Sequence, residues 1–134
     1  MVPGMSEANI EVVRRLFELY ASGGMEGVLE VMDDDIEIVI PPEVSAEPDT
    51  YRGHEGVRRY FAGFEGMLED IRYEAFEFIS EGDLVLAVSR LAGRGVSSGV
   101  EVELKTAVVH LVEDGKVTRI VPYPDLESAK EALR

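Results

Sequence analysis

Four residues of one C-terminal segment carry the side chains best suited to chemistry: Thr106, His110, Arg119 and Tyr123. A neutral imidazole accepts or relays protons near neutral pH. A guanidinium clamps a carboxylate or steadies an enolate-like oxyanion. Their spacing is what brings them together. The run Thr106–Val112 is followed by Glu113-Asp114-Gly115-Lys116 and then by Val117–Tyr123. Asp-Gly between two β-branched runs signals a tight hairpin, because a type I′ turn needs positive φ at both central residues. With Asp114 and Gly115 as the loop, Val112 faces Val117, His110 faces Arg119, Val108 faces Val121 and Thr106 faces Tyr123, all on one side of the sheet. That side is the expected pocket floor, with His110 as proton carrier and Arg119 as anion stabiliser. Each also has a competing structural role. His110 could be a core-edge histidine bonded to backbone or to Thr106, and Arg119 a partly buried cation paired with an acid from a helix or a dimer mate. Arg119 opposite His110 would disfavour the imidazolium.

Three more side chains are candidates for ligand contact. Tyr20 lies on the apolar half of the first helix, and Tyr51 on a loop placed to form a lid. Arg90 is in phase with Leu84, Leu86 and Val88, which would point it inward, but the apolar phase slips within Ala75–Glu77. A bulge there leaves the facing of Arg90 open. Asp125 reads as a helix cap. Asp33-Asp34-Asp35 lacks the alternating ligand spacing of a calcium loop. The glycines at 93, 95 and 99 belong to a hairpin rather than to a strand–helix phosphate cradle. No metal and no cofactor is expected.

The elements that must position these residues follow from periodicity. Ser6 caps a helix to about Ala21, with Ile10, Val12, Val13, Leu16, Phe17, Leu19 and Tyr20 on one half. Ser22-Gly23-Gly24 stops it. A shorter amphipathic piece carries Met25, Val28, Leu29 and Met32, and the three aspartates lead into a strand, Ile36–Ile40, halted by Pro41-Pro42. Residues 43–53 read as a polar loop. A helix from about His54 puts Val57, Tyr60, Phe61, Phe64, Met67 and Leu68 on one face. The period then changes to two, giving strands Ile71–Ile79, Leu84–Ala92, Val100–Val112 and Val117–Tyr123, and a last helix Leu126–Leu133. This order implies a single α+β domain over residues 1–134, a curved antiparallel sheet closed by helices on one side, with Met1–Met5 as a frayed lead-in.

Composition removes several classes of function. The chain has 134 residues, 27 of them acidic against 13 basic, for a formal charge of −14. Binding to nucleic acid or anionic membranes rests on Lys and Arg, so neither is expected. There is no cysteine, which excludes thiol nucleophiles and disulfides and fits a reducing cytoplasm. Apolar runs are strand-length, so no membrane span is expected.

The stretch Tyr51-Arg52-Gly53-His54-Glu55-Gly56-Val57 before a helix, then Asp114-Gly115-Lys116-Val117 with Tyr123 and Asp125 ahead of a helix ending in Ala-Leu, resembles the SnoaL-like branch of the NTF2-like superfamily. The likeness runs from about Ser6 to Arg134. It implies a cone of three to four helices and a curved sheet around an apolar cavity for a small organic ligand, and a homodimer through the outer sheet face. The apolar residues opposite His110 on the hairpin (Ala107, Val109, Leu111, Ile120 and Pro122) fit such an interface. The activities found in this superfamily include isomerases, cyclases, hydrolases and dehydratases, so the resemblance implies either a cofactor-independent isomerase, lyase or hydrolase working by acid–base chemistry, or a non-catalytic ligand-binding or dimerisation module. The catalytic positions of its ketosteroid isomerases, a strand-end carboxylate before proline and a helix tyrosine, fall here on Ile40 and Leu16, which cannot transfer protons. The acid that SnoaL-type cyclases carry on the late strands is missing from Val117, Arg119, Val121 and Tyr123. No inward carboxylate pair accompanies Arg119 as epoxide hydrolysis would need.

Overall fold

The structure, a computed structural model, describes residues 3–42 and 49–134. Met1 and Val2, from the expected lead-in, and most of the polar loop (43–48) lie outside the described residues. Helix α1 runs Pro3–Val28. It starts upstream of Ser6, with proline in the first turn where its missing N–H costs nothing. The Ser22-Gly23-Gly24 stop is a kink, since Gly24 has φ 65° and ψ −155°. A 3₁₀ turn, Leu29–Val31, leads into β1, Met32–Val39. A short strand β2, Thr50–Arg52, falls inside the stretch read as loop and pairs antiparallel with β1. Then come α2 (Gly53–Met67), β3 (Leu68–Glu81), β4 (Leu84–Gly95), β5 (Glu101–Glu113), β6 (Lys116–Tyr123) and α3 (Leu126–Ala132).

The six strands form one curved, unclosed sheet in the order β2-β1-β6-β5-β4-β3. It is mixed rather than wholly antiparallel. The β3–β6 meander brings β6 back beside β1, and the two run parallel, which the long intervening crossover permits. Helices α1 and α2 cover the inner face, where Val13, Leu16, Phe17 and Val57 pack with Ile36, Ile38, Val85, Ala87, Val108, Val112, Val117 and Ile120. Contrary to the one-sided expectation, α3 lies on the outer face, where Ala129 packs with Leu86, Ala107 and Val109. Its N-cap is Asp125, whose Oδ1 accepts the Ser128 N–H at 2.8 Å.

The sequence motif before α2 has a steric basis. Gly53 sits at φ 69°, in the left-handed region that suits glycine. A Cβ on Gly56 would come within 2.8 Å of the Tyr51 carbonyl carbon. His54 anchors the same corner, its Nε2 lying 3.2 Å from the Met32 carbonyl oxygen.

Candidate functional site

The Asp114-Gly115 turn is as expected, with φ 50° and 77° at its two residues. The register beyond it is not. Glu113 pairs with Lys116 and Val112 with Val117, but Leu111 then pairs with Arg119, His110 with Ile120, Val109 with Val121, Val108 with Pro122 and Ala107 with Tyr123. Thr118 is an extra residue, a β-bulge, and its Oγ1 donates to a Glu113 carboxylate oxygen at 2.7 Å. One inserted residue reverses the facing of everything after it. His110 and Thr106 therefore stay on the inner face while Arg119 and Tyr123 turn outward. Ile120 and Pro122 turn inward, so Ile120 belongs to the main core and not to the outer apolar patch.

Arg119 sits beside Arg52, both pairing with Glu37 of β1, at 3.2 and 3.6 Å. With Tyr123, Val121, Val39 and Arg52 it borders a wide, open groove on the outer surface. Arg90 also faces outward. Leu86, in the same phase, packs under α3, so that phase marks the outer face. The Arg90 guanidinium bonds Glu74 at 2.7 Å, lies 3.7 Å from Glu103 and covers the Phe76 ring. The bulge expected within Ala75–Glu77 is present.

His110 is 1% exposed, and its Nδ1 lies 3.2 Å from the carbonyl oxygen of Val85, its cross-strand partner. Of the two roles read from the sequence, the geometry matches the core-edge histidine bonded to backbone. Burial drives its pKa down to about 4, with the Val85 and Val108 carbonyls pulling the other way. The imidazole is neutral at physiological pH. It borders a small inner chamber of about 40 Å³, shared with Leu16, Met32, Ile38 and Tyr60.

A second chamber, of about 80 Å³, lies nearer the mouth of the cone. Tyr20, Tyr60, Phe61, Phe64 and Tyr73 supply rings to its wall, with Leu91, Val108 and Pro122 as aliphatic lining and Thr106 as a polar point. Tyr60, Phe61 and Tyr73 border both chambers and so divide the interior. Tyr20 stacks on Phe61 at 5.9 Å and meets Tyr73 edge-on at 6.0 Å. Tyr51 is on β2 rather than on a lid; it packs behind Tyr60 at 5.3 Å, with Arg59 over its ring, and borders neither chamber. Burial raises the Tyr60 pKa to about 12, Tyr51 adding to the effect, and raises Tyr20 and Tyr73 as well. All three phenols are protonated hydrogen-bond donors.

Sequence reasoning missed Tyr73 and Ser89. The Ser89 Oγ lies 2.6 Å from the Thr106 Oγ1, and both hydroxyls act on the Tyr73 phenol, offsetting part of the rise in its pKa that burial causes. The signal was a serine inside the apolar run Leu84–Ala92, which becomes meaningful only once the register sets Ser89 opposite Thr106. Among the described residues, no carboxylate or cationic side chain lines either chamber. Ile40 and Leu16 are buried core residues. Among the described residues no cluster of His, Cys, Asp and Glu could hold a metal ion.

This architecture, with its three helices against a curved mixed sheet, is the NTF2-like cone. The SnoaL-like domain family matches residues 13–120, and the chain belongs to that family. An NTF2-like protein from Burkholderia xenovorans LB400 is 31% identical, with a TM-score of 0.70 and coverage of 96% of this chain and 98% of its own. TerC, co-crystallised with polyporic acid, is 26% identical with a TM-score of 0.75, over 94% and 97% of the two chains. A protein from Jannaschia sp. CCS1, assigned to the SnoaL-like polyketide cyclases, shares the fold with a TM-score of 0.77 at 21% identity, over 99% and 95%. Among curated proteins, none matches the chain.

Proposed function

We propose that this chain binds a small, largely apolar organic molecule in the aromatic chamber at the mouth of the cone. The lining carries this reading: four tyrosine and phenylalanine rings of α1 and α2 and a fifth from β3, enclosing a space to which the described residues bring no charged side chain. Such a wall favours apolar ligands and repels ions. At about 80 Å³ the chamber is far below the several hundred Å³ of drug-sized sites, so the ligand is about one ring in size. The same lining speaks for binding over an acid–base isomerase, lyase or hydrolase. His110 is neutral, tied to backbone and shut in the inner chamber, and Arg119 is on the opposite face. TerC, crystallised with polyporic acid, supports a ligand-holding role for this cone.

Titration with toluene, followed by amide chemical shifts, tests the proposal. Saturable shifts centred on Tyr20, Phe64, Leu91 and Thr106 are expected. No saturable shift, or shifts confined to the outer groove around Arg119, would overturn it.

We further propose a homodimer through the outer sheet face. Helix α3 covers the part around Leu86, Ala107 and Val109, against which Tyr123 also packs, and Leu111 and Val121 are half-buried on the same face. A cytoplasmic setting is the environment that a chain without cysteine suits. No helix among the described residues is long and apolar enough to cross a membrane.

A further inference from the structure

Three hydroxyls meet at one point of an otherwise apolar wall. Thr106 projects from β5 into the larger chamber, Ser89 of β4 stands behind it as its cross-strand partner, and Tyr73 of β3 reaches both. Ser89 is 1% exposed and does not border the chamber, so Tyr73 and Thr106 are the two that can touch a ligand. The remaining walls near them are Ile71, Leu91, Val108 and Pro122.

The proton count shows what this trio can do. Each hydroxyl can donate once and accept twice. The Ser89–Thr106 contact at 2.6 Å uses one proton, whichever residue gives it. The Ser89 Oγ also lies 3.5 Å from the Thr106 carbonyl oxygen, so the serine proton has a second destination. Ser89 and Thr106 each favour the ionised form of Tyr73 against the pull of burial, the effect of a hydroxyl that donates to the phenol oxygen. By rotating, the hydroxyls can therefore satisfy one another when the chamber holds no ligand. With a ligand present, they can turn one proton, or one lone pair, toward it. A closed network of this kind carries no unmet polar group in either state, so polarity in the wall costs little. A ligand oxygen placed elsewhere on this lining would lose its hydrogen bonds to water, unless it reached the Tyr20 or Tyr60 hydroxyl.

We propose that Thr106, Tyr73 and Ser89 form a hydroxyl clamp that selects ligands bearing one carbonyl or hydroxyl oxygen on an apolar ring. The inference rests on the binding role proposed for the chamber and adds its specificity. Ser89 is a positioning residue, and Thr106 and Tyr73 are the contacts.

Phenol and toluene, which differ by a hydroxyl in place of a methyl, test it as paired probes. Dissociation constants for both are measured by amide-shift titration on wild type, Thr106→Val and Ser89→Ala. Wild type is expected to prefer phenol about tenfold, the scale of one buried hydrogen bond. Thr106→Val, nearly isosteric and at home in a strand, should bring the two affinities together while toluene binding persists, which also reports an intact chamber. Ser89→Ala should reduce the preference in part. Equal affinity in wild type, or an undiminished preference in Thr106→Val, overturns the clamp and leaves the chamber standing. Failure of both probes to bind wild type overturns both proposals.

Discussion

At the scale of single residues, burial acts on the charge of His110. Its pKa in the fold is about 4, against 6.5 for the free side chain. Above pH 6.5 both folded and unfolded chains hold it neutral, and its contribution to stability is complete. Between 6.5 and 4 the unfolded chain takes up a proton that the folded chain refuses, so stability falls with pH. Below 4 this group costs nothing more. Linkage puts the total at roughly 3 kcal/mol. His110→Gln, which does not titrate and keeps a donor for the Val85 carbonyl, should flatten the decline in melting temperature between pH 6.5 and 4. Parallel wild-type and variant profiles would show that another group is responsible. His110 also shows how far the sequence reaches. That it faces inward followed from counting back along one strand from the Asp114-Gly115 turn. That its partner is the Val85 carbonyl, and not Arg119, depended on a neighbouring strand 25 residues away. The same holds for Ser89 and Tyr73, whose meaning arises only from the β3–β4 and β4–β5 registers.

Among the elements, the β5–β6 hairpin decides what the protein can do. Its turn was legible because Asp-Gly chemistry is local. The bulge at Thr118 was not, since Val117-Thr118-Arg119 alternates as plausibly without it. What separates the two registers is tertiary: only the bulged one puts Ile120 in the core and Arg119 beside Glu37. This makes a counterintuitive prediction. Deleting Thr118 removes the extra residue and leaves Leu111 opposite Arg119 and His110 opposite Ile120, so the variant should fold, losing about 1–2 kcal/mol in urea denaturation. With an unbulged hairpin the same deletion would swap the two faces, turning Val121 and Tyr123 out of the inner face, and an unfolded variant would refute the register. The phase slip within Ala75–Glu77, by contrast, was visible because Tyr73 and Ala75 fall on one phase and Phe78 on the other. Arg90 shows the remaining gap: alternation groups it with Leu84, Leu86 and Val88, but not with a face. Only the docking of α3 on Leu86 marks that face as the outer one.

For the whole molecule, charge and shape act together on self-association. Each copy carries a formal charge of −14, so two copies repel unless salt screens them. The proposed dimer should sediment at twice the monomer mass and tighten as ionic strength rises. Val121→Glu should leave a folded monomer. A chain monomeric at all salt concentrations, or a Val121→Glu variant that still dimerises, would remove the outer face as the interface. The helix–strand order and an apolar inner face were readable from periodicity, whereas the placement of α3 on the other face was not, because a helix of seven residues gives too little pattern to say which layer it joins. The sheet's two rims have a further consequence. One rim is β2, three residues long; the other is β3, fourteen residues long. A flat strand of that length would offer its unpaired amides to any passing chain. Here the slip between Ala75 and Glu77 breaks it in the middle, and Glu69, Glu74 and Glu77 give it negative charge. The irregularity that obscured the facing of Arg90 thus also works as an anti-aggregation device, denying open-ended strand stacking a straight template.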